Sequence, residues 1–274
     1  MTNPPSPLLA PPVPLALDGH RLHLWHAAVD SQLPDARAAR YRALLTPAEA
    51  AQHLRFYFDK DQRRYLVTRA LVRDVLSRYV PAIAPDAWRF EPNAWGCPKV
   101  VNDNVAAQQL RFNLSHASTA VVLAVSFGRE VGVDIESTQR KAPLDVADQY
   151  FSRDESAQLR ALPLADQALR FWELWTLKES YIKARGMGLS IPLDQFSFQL
   201  DSPGRVTLAL APGLDDRADR WQCWQLRPDD EHLVAVCVER HPEGQAQELQ
   251  LESRRIVPLE HDAPIFPVVS RRPL

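Results

Sequence analysis

The sequence predicts an α+β (α/β) fold built from two similar subdomains. Each half of the chain contains one dominant amphipathic helix, and strand-like segments precede and follow that helix in both halves. The length of 274 residues suits one large domain or two compact ones, and a hydrophobic fraction of 46% supplies a core. The predicted ranges are a Pro-rich, disordered tail over 1–20, an N-terminal half over 21–127, a C-terminal half over 128–240 and an extension over 241–274.

In the first half, residue alternation and helix signals define the elements. Leu22 and Leu24 alternate with polar residues, which predicts a strand over 21–29. The Thr-Pro-x-Glu pattern at 46–49 is typical of a capped helix start. An apolar stripe surrounded by arginines predicts a long helix over 59–80. Further strands are predicted over 88–91, 110–114 and 120–127.

The second half repeats this order. A strand over 130–136 opens it, and a strong helical pattern over 168–185 ends at Gly186 and Gly188. Shorter segments predict two helices, over 143–150 and 153–162, and four strands, near 196–200, 206–209, 221–226 and 233–238. The extension contains four prolines beyond residue 243 and shows no clear period, so it either wraps the surface or is loose.

Composition and charge exclude several classes of function. A net charge of −2 offers no overall basic surface for nucleic acid. No run of 18 uncharged apolar residues predicts a membrane span, and the N-terminus lacks the basic and apolar regions of a secretory signal. The three cysteines are too few and too scattered for a disulfide framework or a cysteine zinc site. We therefore expect a monomeric cytoplasmic protein with no membrane partner.

Two acidic residues share one face of a predicted strand. In the segment G-V-D-I-E at 132–136, side chains alternate between faces, so Asp134 and Glu136 point to the same side about 7 Å apart. Two such acids repel each other unless a cation lies between them, and Mg²⁺ held by two carboxylates plus substrate phosphates is a common arrangement. The alternative is a solvated strand face, which this spacing alone does not exclude.

The long helix of the second half carries another candidate set. Trp172 and Trp175 lie on the same broad face as Glu179. Lys183 follows Glu179 by four residues, so the two side chains are neighbours, whereas Lys178 lies about 100° round the helix from Glu179. The alternative is a surface Glu–Lys pair above tryptophans that belong to the core.

A third set follows the strand predicted over 110–114. Ser115 and His116 offer a hydroxyl, an imidazole and loop amides, which together suit a phosphate group. A histidine in this position is also commonly an ordinary hydrogen-bonded loop residue. A hydrolase nucleophile and base is a poor alternative, because adjacent residues in extended chain point apart and no G-x-S-x-G motif surrounds them.

Taken together, the motifs resemble a known family. They are F-N-L-S-H at 112–116, G-V-D-I-E at 132–136, F-S-x-x-E at 151–155, W-T-L-K-E-S-Y-I-K-A at 175–184, R-F-Y at 55–57, the helix at 64–75, W-G-C-P at 95–98, and G-M-G-L at 186–189 followed by I-P-L at 191–193. Their order and spacing resemble the 4'-phosphopantetheinyl transferase superfamily, specifically its longer, single-chain, pseudo-dimeric branch of the surfactin-synthetase-activating type. The resemblance covers about residues 40–200.

The resemblance implies a fold and an activity. The implied fold is two similar α/β halves related by a pseudo-twofold axis, with the active site in the cleft between them. The implied reaction moves the 4'-phosphopantetheine arm of coenzyme A, the co-substrate, to a serine of an apo acyl or peptidyl carrier protein and releases 3',5'-ADP. The implied cofactor is Mg²⁺ or Mn²⁺, which assists phosphoryl transfer.

The resemblance also assigns roles to individual residues. The implied metal ligands are Asp134, Glu136 and Glu179, and the implied catalytic residues are Glu179, Lys183 and Asp134. The implied contacts to coenzyme A are Ser115, His116, Lys183, Lys178, Asp134, Arg64, Tyr65, Gly96 and Pro98, with Glu155 as a supporting acid. In this interpretation Glu179 takes the proton of the carrier serine and Lys183 stabilises the departing nucleotide.

The chain departs from the family pattern where cations are expected. Glu49 and Gln52 occupy positions at which the family often has lysines, and Cys97 replaces the lysine of a G-K-P motif, with Lys99 as the nearest cation. The expected substitutes are Arg55, Arg63 and Arg64, since arginine binds phosphate through two hydrogen bonds. Tyr65 replaces a small residue near the nucleotide.

Two other functions are compatible with parts of the sequence. A non-catalytic relative that binds coenzyme A or a carrier protein would account for the missing lysines, although the four acidic and basic residues of the two main motifs are intact. A metal-dependent nuclease would need a basic groove that the net charge does not indicate. For the carrier, an arginine-bearing or apolar docking surface is expected near 187–189, with Arg185 as its cation.

Overall fold

Two mixed sheets, each covered by one long helix, form the body of the molecule. The computed structural model describes residues 14–200, 204–240 and 249–273. The helices are α1 (Asp35–Arg42), α2 (Pro47–Leu54), α3 (Asp59–Tyr79), α4 (Val105–Gln109), α5 (Ala147–Tyr150), α6 (Arg153–Ala161) and α7 (Leu164–Arg185). The strands are β1 (Arg21–Ala28), β2 (Phe90–Pro92), β3 (Pro98–Val100), β4 (Leu110–His116), β5 (Ala120–Phe127), β6 (Val131–Ser137), β7 (Phe196–Gln199), β8 (Arg205–Leu210), β9 (Trp221–Arg227), β10 (His232–Glu239), β11 (Gln250–Val257), β12 (His261–Ile265) and β13 (Val268–Pro273).

The first sheet has the strand order β12-β11-β1-β5-β4 and the second has the order β6-β10-β9-β13-β8-β7. In the first, β1 and β4 both run antiparallel to β5. In the second, β6 and β9 both run antiparallel to β10. Each half therefore places its opening strand beside the second strand of a later hairpin, with a long helix between them in the chain. This repetition confirms the predicted architecture of two similar subdomains.

The long helices cover the sheets with the apolar faces that the sequence predicted. Leu66, Leu71 and Val75 of α3 are buried in a core that also contains Trp25 of β1. On the other side, α7 packs against β6 and β10 and buries Leu177 and Tyr181. A third apolar cluster, formed by Leu22, Leu24, Val122, Val133, Trp224 and Val236 among others, joins the two halves.

Several elements differ from the sequence prediction. The structure adds α1, α4 and β3, and α7 begins at Leu164 rather than at residue 168. The strand predicted over 88–91 lies at Phe90–Pro92, after a short 3₁₀ turn. The α1 helix escaped prediction because only Ala38 and Tyr41 of its eight residues are buried, so its apolar face is too small to produce a period.

The C-terminal extension is neither loose nor a surface wrap over the residues described, and the expectation for it was wrong. β11 lies parallel to β1 and β12 runs antiparallel to β11, so both extend the first sheet. β13 then pairs with β9 and β8 in the second sheet. The four prolines lie at strand ends, at edges or between strands, where no ladder hydrogen bond from nitrogen is required, and they interrupt the alternation that would have indicated strands.

The prediction of a disordered tail over 1–20 does not hold for residues 14–20. Residues 1–13, most of that prediction, lie outside the described residues. From residue 14 onward the chain is packed, because Leu15 donates its backbone N–H to the carbonyl of Arg78 at 2.9 Å and both Leu15 and Leu17 contact the first core. In the described ranges, no helix has the length and apolar character needed to cross a bilayer.

Candidate active site

The site lies where β4, β6 and α7 meet between the two halves. β4 belongs to the first sheet and β6 to the second, and the side chain of Asn113 joins them by accepting the N–H of Val133 at 3.0 Å. This bond fixes the end of β4, with Ser115 and His116, against the strand that carries Asp134 and Glu136.

Gly132 allows β6 and α7 to approach each other at backbone distance. A Cβ atom at this position would lie 2.0 Å from the carbonyl oxygen of Ser180 and 2.2 Å from the nitrogen of Ala184. Only glycine therefore fits, and the close approach brings the acidic face of β6 to the face of α7 that carries Glu179 and Lys183. The glycine of the G-V-D-I-E motif is thus a packing requirement of the site.

Lys183, Ser115 and Asp134 form a compact hydrogen-bonded triangle. The ammonium of Lys183 donates to Asp134 Oδ1 at 2.6 Å and to Ser115 Oγ at 3.0 Å, and the Ser115 hydroxyl donates to the same Asp134 oxygen at 2.8 Å. Asp134 is 4% exposed. Its second oxygen, Oδ2, is buried and has no hydrogen-bond partner within the described residues. A buried carboxylate oxygen without a donor is costly unless a cation binds it.

The two neighbouring glutamates are also crowded. Burial, and then the negative charge of Asp134, raise the pKa of Glu136 to about 7. Burial likewise raises the pKa of Glu179, against the opposing charge of Lys183. Three carboxyl groups thus lie in a poorly solvated region where their mutual repulsion is only partly compensated by cations of the chain itself.

This donor set fits a hard divalent cation. Carboxylate oxygens are the ligands that Mg²⁺ and Mn²⁺ prefer, and the free oxygen of Asp134 is a donor without a competing partner. Within the described ranges, no three acidic, histidine or cysteine side chains are arranged to surround an ion as they stand. Asp134 and Glu136 are instead held by Lys183 and Arg140.

Basic side chains lie beside the acids. Desolvation, and then the positive charges of Arg64 and Lys183, lower the pKa of His116 and favour its neutral form. Arg64 itself is paired with Asp61 at 2.8 Å. The charges of Arg64 and Lys183, with the neutral imidazole of His116 as a hydrogen-bonding group, are suited to an anion such as a phosphate.

The loop that contains Gly96 and Pro98 is fixed to the end of α7. Asn93 accepts the N–H groups of Trp95 and Cys97, both at 2.9 Å, and donates its amide hydrogen to the carbonyl of Gly186 at 2.9 Å. Gly96 has a φ of +85°, a conformation that favours glycine. Asn93 thereby holds a loop of the first half against the helix that carries Lys183.

Comparisons with known proteins agree with this arrangement. Residues 130–237 match the model of the 4'-phosphopantetheinyl transferase superfamily, and residues 35–128 match the N-terminal 4'-phosphopantetheinyl transferase domain. The chain is 31% identical over 231 residues to the 4'-phosphopantetheinyl transferase HetI of Nostoc sp., which covers 84% of this chain and 92% of that relative. It is 34% identical over 189 residues to Sfp of Bacillus subtilis, 69% of this chain and 81% of that relative.

The chain belongs to the 4'-phosphopantetheinyl transferase superfamily. A further 4'-phosphopantetheinyl transferase of Bacillus subtilis, 30% identical over 222 residues, covers 81% of this chain and 94% of that relative. The family, its longer single-chain branch and the transferase class that the motifs predicted are therefore confirmed.

One predicted contact of this transferase to coenzyme A is corrected by the geometry. Lys178 is 1% exposed, and its ammonium donates to the carbonyls of Leu193 at 2.9 Å and Phe196 at 2.6 Å. Its counter-ion is Glu155, 2.7 Å away. Lys178 therefore faces the core and is not available to a phosphate. The cause is its position on the helix, about 100° from Glu179.

Glu155 forms this buried pair and two further hydrogen bonds to the backbone. One carboxylate oxygen accepts the N–H of Phe198 at 2.8 Å, and the other caps α6 at Ser152 at 2.9 Å. Together with Lys178, Glu155 fixes α7 to α6 and β7. Its role as a supporting acid is thus that of a structural anchor for the helix that carries Glu179.

Glu49, at a position where a lysine was expected, and Lys99, the cation nearest to Cys97, both pair with other residues of the chain. Glu49 accepts a hydrogen bond at 2.7 Å from the guanidinium of Arg73, which is 1% exposed, so this acid neutralises a buried cation. Lys99 is paired with Glu130 at 2.8 Å. Of the substitutes expected for the missing cations, Arg64 is the one whose charge reaches His116, whereas Arg63 lines a separate groove.

Arg185, the cation expected in the docking surface, is bound to residues of its own subdomain. Arg185 donates to the buried carboxylate of Asp216 at 2.8 Å and to the hydroxyl of Tyr181 at 3.0 Å. It therefore anchors the end of α7 instead of presenting a charge to a carrier. The side chain of Leu189, in the same predicted surface, lies outside those described.

Sequence reasoning missed three residues of the site. Asn93 and Asn113 join elements that are distant in sequence, and no local pattern indicates such a bond. Arg140 pairs with Glu136 at 3.0 Å. A spacing of four residues indicates a side-chain pair in a helix, but here it runs from the end of a strand into a turn, where the spacing predicts no contact. Gly132 differs from these three, because a glycine inside a strand is itself a sequence signal of close backbone approach.

Proposed function

We propose that this cleft transfers the 4'-phosphopantetheine arm of coenzyme A to a serine of an apo acyl or peptidyl carrier protein. The observation that supports this proposal is the convergence of Asp134, Glu136, Glu179 and Lys183 where the two halves meet. Acids that bind a divalent ion and a cation that binds phosphate are the groups that phosphoryl transfer requires.

Mg²⁺ or Mn²⁺ is the proposed cofactor, with Asp134, Glu136 and Glu179 as its ligands. The free Oδ2 of Asp134 supports this assignment, as does the crowding that raises the pKa of both glutamates. When bound, such an ion neutralises negative charge on the diphosphate of coenzyme A.

The cations of the cleft would hold the nucleotide part of coenzyme A. The charges of Arg64 and Lys183 both act on His116, and the Ser115 hydroxyl already contacts Lys183. Gly96 and Pro98 lie in the loop that Asn93 holds at this edge, and Tyr65 packs its ring on Phe56 with Arg69 above it. These residues would orient the co-substrate and leave the acidic side of the cleft open to the carrier serine.

Glu179 is the proposed general base. Its burial raises its pKa, and a base whose pKa lies nearer the working pH accepts a proton more effectively. It would take the proton of the carrier serine while the serine oxygen attacks the phosphorus that bears the pantetheine arm. Lys183, which lies one turn further along α7, would stabilise the negative charge of the departing 3',5'-ADP.

A transfer assay tests the proposal. The enzyme is incubated with coenzyme A, Mg²⁺ and a panel of apo acyl and peptidyl carriers, and the mass of each carrier is then measured by mass spectrometry. We expect the added mass of one phosphopantetheine on at least one carrier, and a loss of about 100-fold or more in kcat for Asp134→Ala. No added mass on any carrier would support a binding protein instead, and normal turnover of Asp134→Ala at saturating Mg²⁺ would refute the metal assignment.

A further inference from the structure

An exposed arginine lies at the mouth of the acidic cluster, immediately after β6. Arg140 donates from Nη1 to Glu136 Oε2 at 3.0 Å, although 62% of the arginine side chain is exposed. Glu136 is much less exposed, at 18%. Among the residues described, Glu136 is the only acid in direct contact with this guanidinium, and Glu136 is a proposed metal ligand.

Trp172 holds Arg140 in this position by two separate contacts. The guanidinium lies over the indole ring, 5.4 Å from its centroid. The indole N–H donates to the backbone carbonyl of Arg140 at 3.3 Å. Both the backbone and the charged end of this arginine are thus attached to α7, the helix that also carries Glu179. A flexible surface side chain would not normally be restrained at both ends.

The arrangement gives each acid of β6 a cation from the chain itself. Lys183 binds Asp134 from the α7 side, and Arg140 binds Glu136 from the solvent side. Lys183 is accounted for by its proposed contact with phosphate, but Arg140 has no part in that mechanism. A positive charge next to a metal ligand repels a divalent ion and occupies one of the ligand's oxygen atoms.

We propose that Arg140 is an internal counter-ion that competes with the divalent metal for Glu136 and thereby limits metal affinity in the enzyme without coenzyme A. This inference rests on the proposed metal site. Metal entry requires the guanidinium to leave Oε2 or to remain beside a doubly charged ion. Since Arg140 is exposed, it can move into solvent at little cost, and Trp172 keeps it near enough to return when the metal dissociates.

Calorimetric titration of Mn²⁺ alone into the full-length enzyme, without coenzyme A, tests the inference. We expect Arg140→Met to lower the Mn²⁺ dissociation constant by about 5-fold, because a repelling charge and a competing donor are removed. Arg140→Lys keeps the charge and is expected to remain within about 2-fold of the wild type. Arg160→Met is the control, because Arg160 is similarly exposed, at 55%, but pairs with Asp148 on α5 and should leave Mn²⁺ binding unchanged.

The outcomes separate this inference from the proposed function. An unchanged or higher dissociation constant for Arg140→Met would overturn the competition and would favour an orienting role for Arg140. If Asp134→Ala binds Mn²⁺ as the wild type does, the metal site itself is wrong and the competition fails with it. Thermal melting of each variant confirms that the fold is retained. If Arg140→Met is unstable, Arg140→Gln takes its place, because it also removes the charge and is expected to lower the dissociation constant in the same direction.

Discussion

At the scale of single residues, Lys178 and Lys183 lie five positions apart on α7 but in different environments. Lys178 lies in the core and satisfies Glu155 and two carbonyl groups. Burial lowers its pKa, against the opposing charge of Glu155. Lys183 lies in the cleft on Asp134. A family motif that contains both lysines does not distinguish these roles, but burial does.

Replacing Lys178 by methionine is expected to destabilise the fold and to leave coenzyme A binding intact. The change leaves the Glu155 carboxylate buried without its cation, which costs about 3–5 kcal/mol in the free energy of unfolding. Urea denaturation measures this loss, and steady-state kinetics of the folded enzyme should give a KM for coenzyme A within about 2-fold of the wild type.

The control for this prediction is Lys60→Met, at an exposed position, where the free energy of unfolding should change by about 0.5 kcal/mol or less. A stable Lys178→Met enzyme with a KM for coenzyme A raised by a factor of about 10 would restore the original assignment of Lys178 to phosphate binding.

The acidic strand and the Glu–Lys pair were predictable because their periods are local, and the structure brings Asp134 and Lys183 into direct contact. The fate of Lys178 was not predictable in the same way. Whether its side of the helix is buried depends on residues 193–198, which follow in the chain and fold back over it. A helical period gives the angle between two side chains but not the element that covers each side.

At the scale of elements, the position of α7 on β6 decides whether the site exists. The two elements touch at backbone distance at Gly132, and the acids of β6 face α7 only because of that approach. The end of α7 is held independently by Asn93, from the loop between β2 and β3. Two contacts, one at each side of Lys183, therefore set the width of the cleft.

Gly132→Ala is expected to separate β6 from α7. The new methyl group would lie about 2 Å from the backbone of Ser180, so the strand or the helix has to shift, at a cost of about 3 kcal/mol in unfolding free energy. We expect kcat to fall by at least about 10-fold in whatever enzyme still folds, because a shift of this size misplaces the reacting groups. Denaturation and transfer kinetics measure the two effects.

Gly213→Ala is the matched control, since a Cβ atom at Gly213 meets nothing within 4 Å. It should change the unfolding free energy by about 0.5 kcal/mol or less. Native stability together with native activity in Gly132→Ala would show that β6 and α7 are not held at the distance described.

Asn93→Ala is expected to loosen the loop of Gly96 and Pro98. It removes the acceptor for two N–H groups of the loop and the donor to Gly186. We expect the KM for coenzyme A to rise by about 10-fold with kcat within about 3-fold, because the change affects binding more than the reacting groups. Asn104→Ala removes a comparable cap at α4 and should leave both constants unchanged. A fall in kcat without a change in KM would argue against a role for this loop in binding.

At the scale of the whole molecule, the two halves meet along an apolar seam that also contains histidines. His26 of β1 is 6% exposed and lies near Asp229 and His232 of the second half and Arg255 of β11. Burial, and then the charge of Arg255, lower the pKa of His26 to about 4. The seam therefore contains a group that remains neutral in the folded enzyme where it would be charged in the unfolded chain.

This difference predicts a loss of stability in mild acid. Since the folded pKa is about 4 and the unfolded value is 6.5, the unfolded chain binds more protons between these values. Stability is complete above pH 6.5 and falls as the pH decreases toward 4, by about 2 kcal/mol at pH 5. Urea unfolding of the wild type and His26→Leu at pH 8 and pH 5 measures it, and the variant should lose less stability.

His261→Leu, at an exposed position of β12, should keep the pH dependence of the wild type. Equal losses in the wild type and in His26→Leu would show that other groups cause the acid sensitivity.

The two-halved architecture and the family could both be predicted without knowing where His26 lies, because both follow from motifs and element order. Its environment, however, is assembled from β1, β10 and β11, and no window of sequence contains all three.

The parallel pairing of β1 with β11 has a consequence for how the chain is made. β1 leaves the ribosome before the other described strands, and β5 at Ala120–Phe127 can cover only one of its edges. The other edge is covered by β11 at Gln250–Val257, which is synthesised only after all the elements from β2 to β10. At about 5–20 residues per second, that edge stays open for on the order of 10 s, during which it can pair with other chains. Until β11 is made, this open edge therefore exposes the nascent enzyme to aggregation.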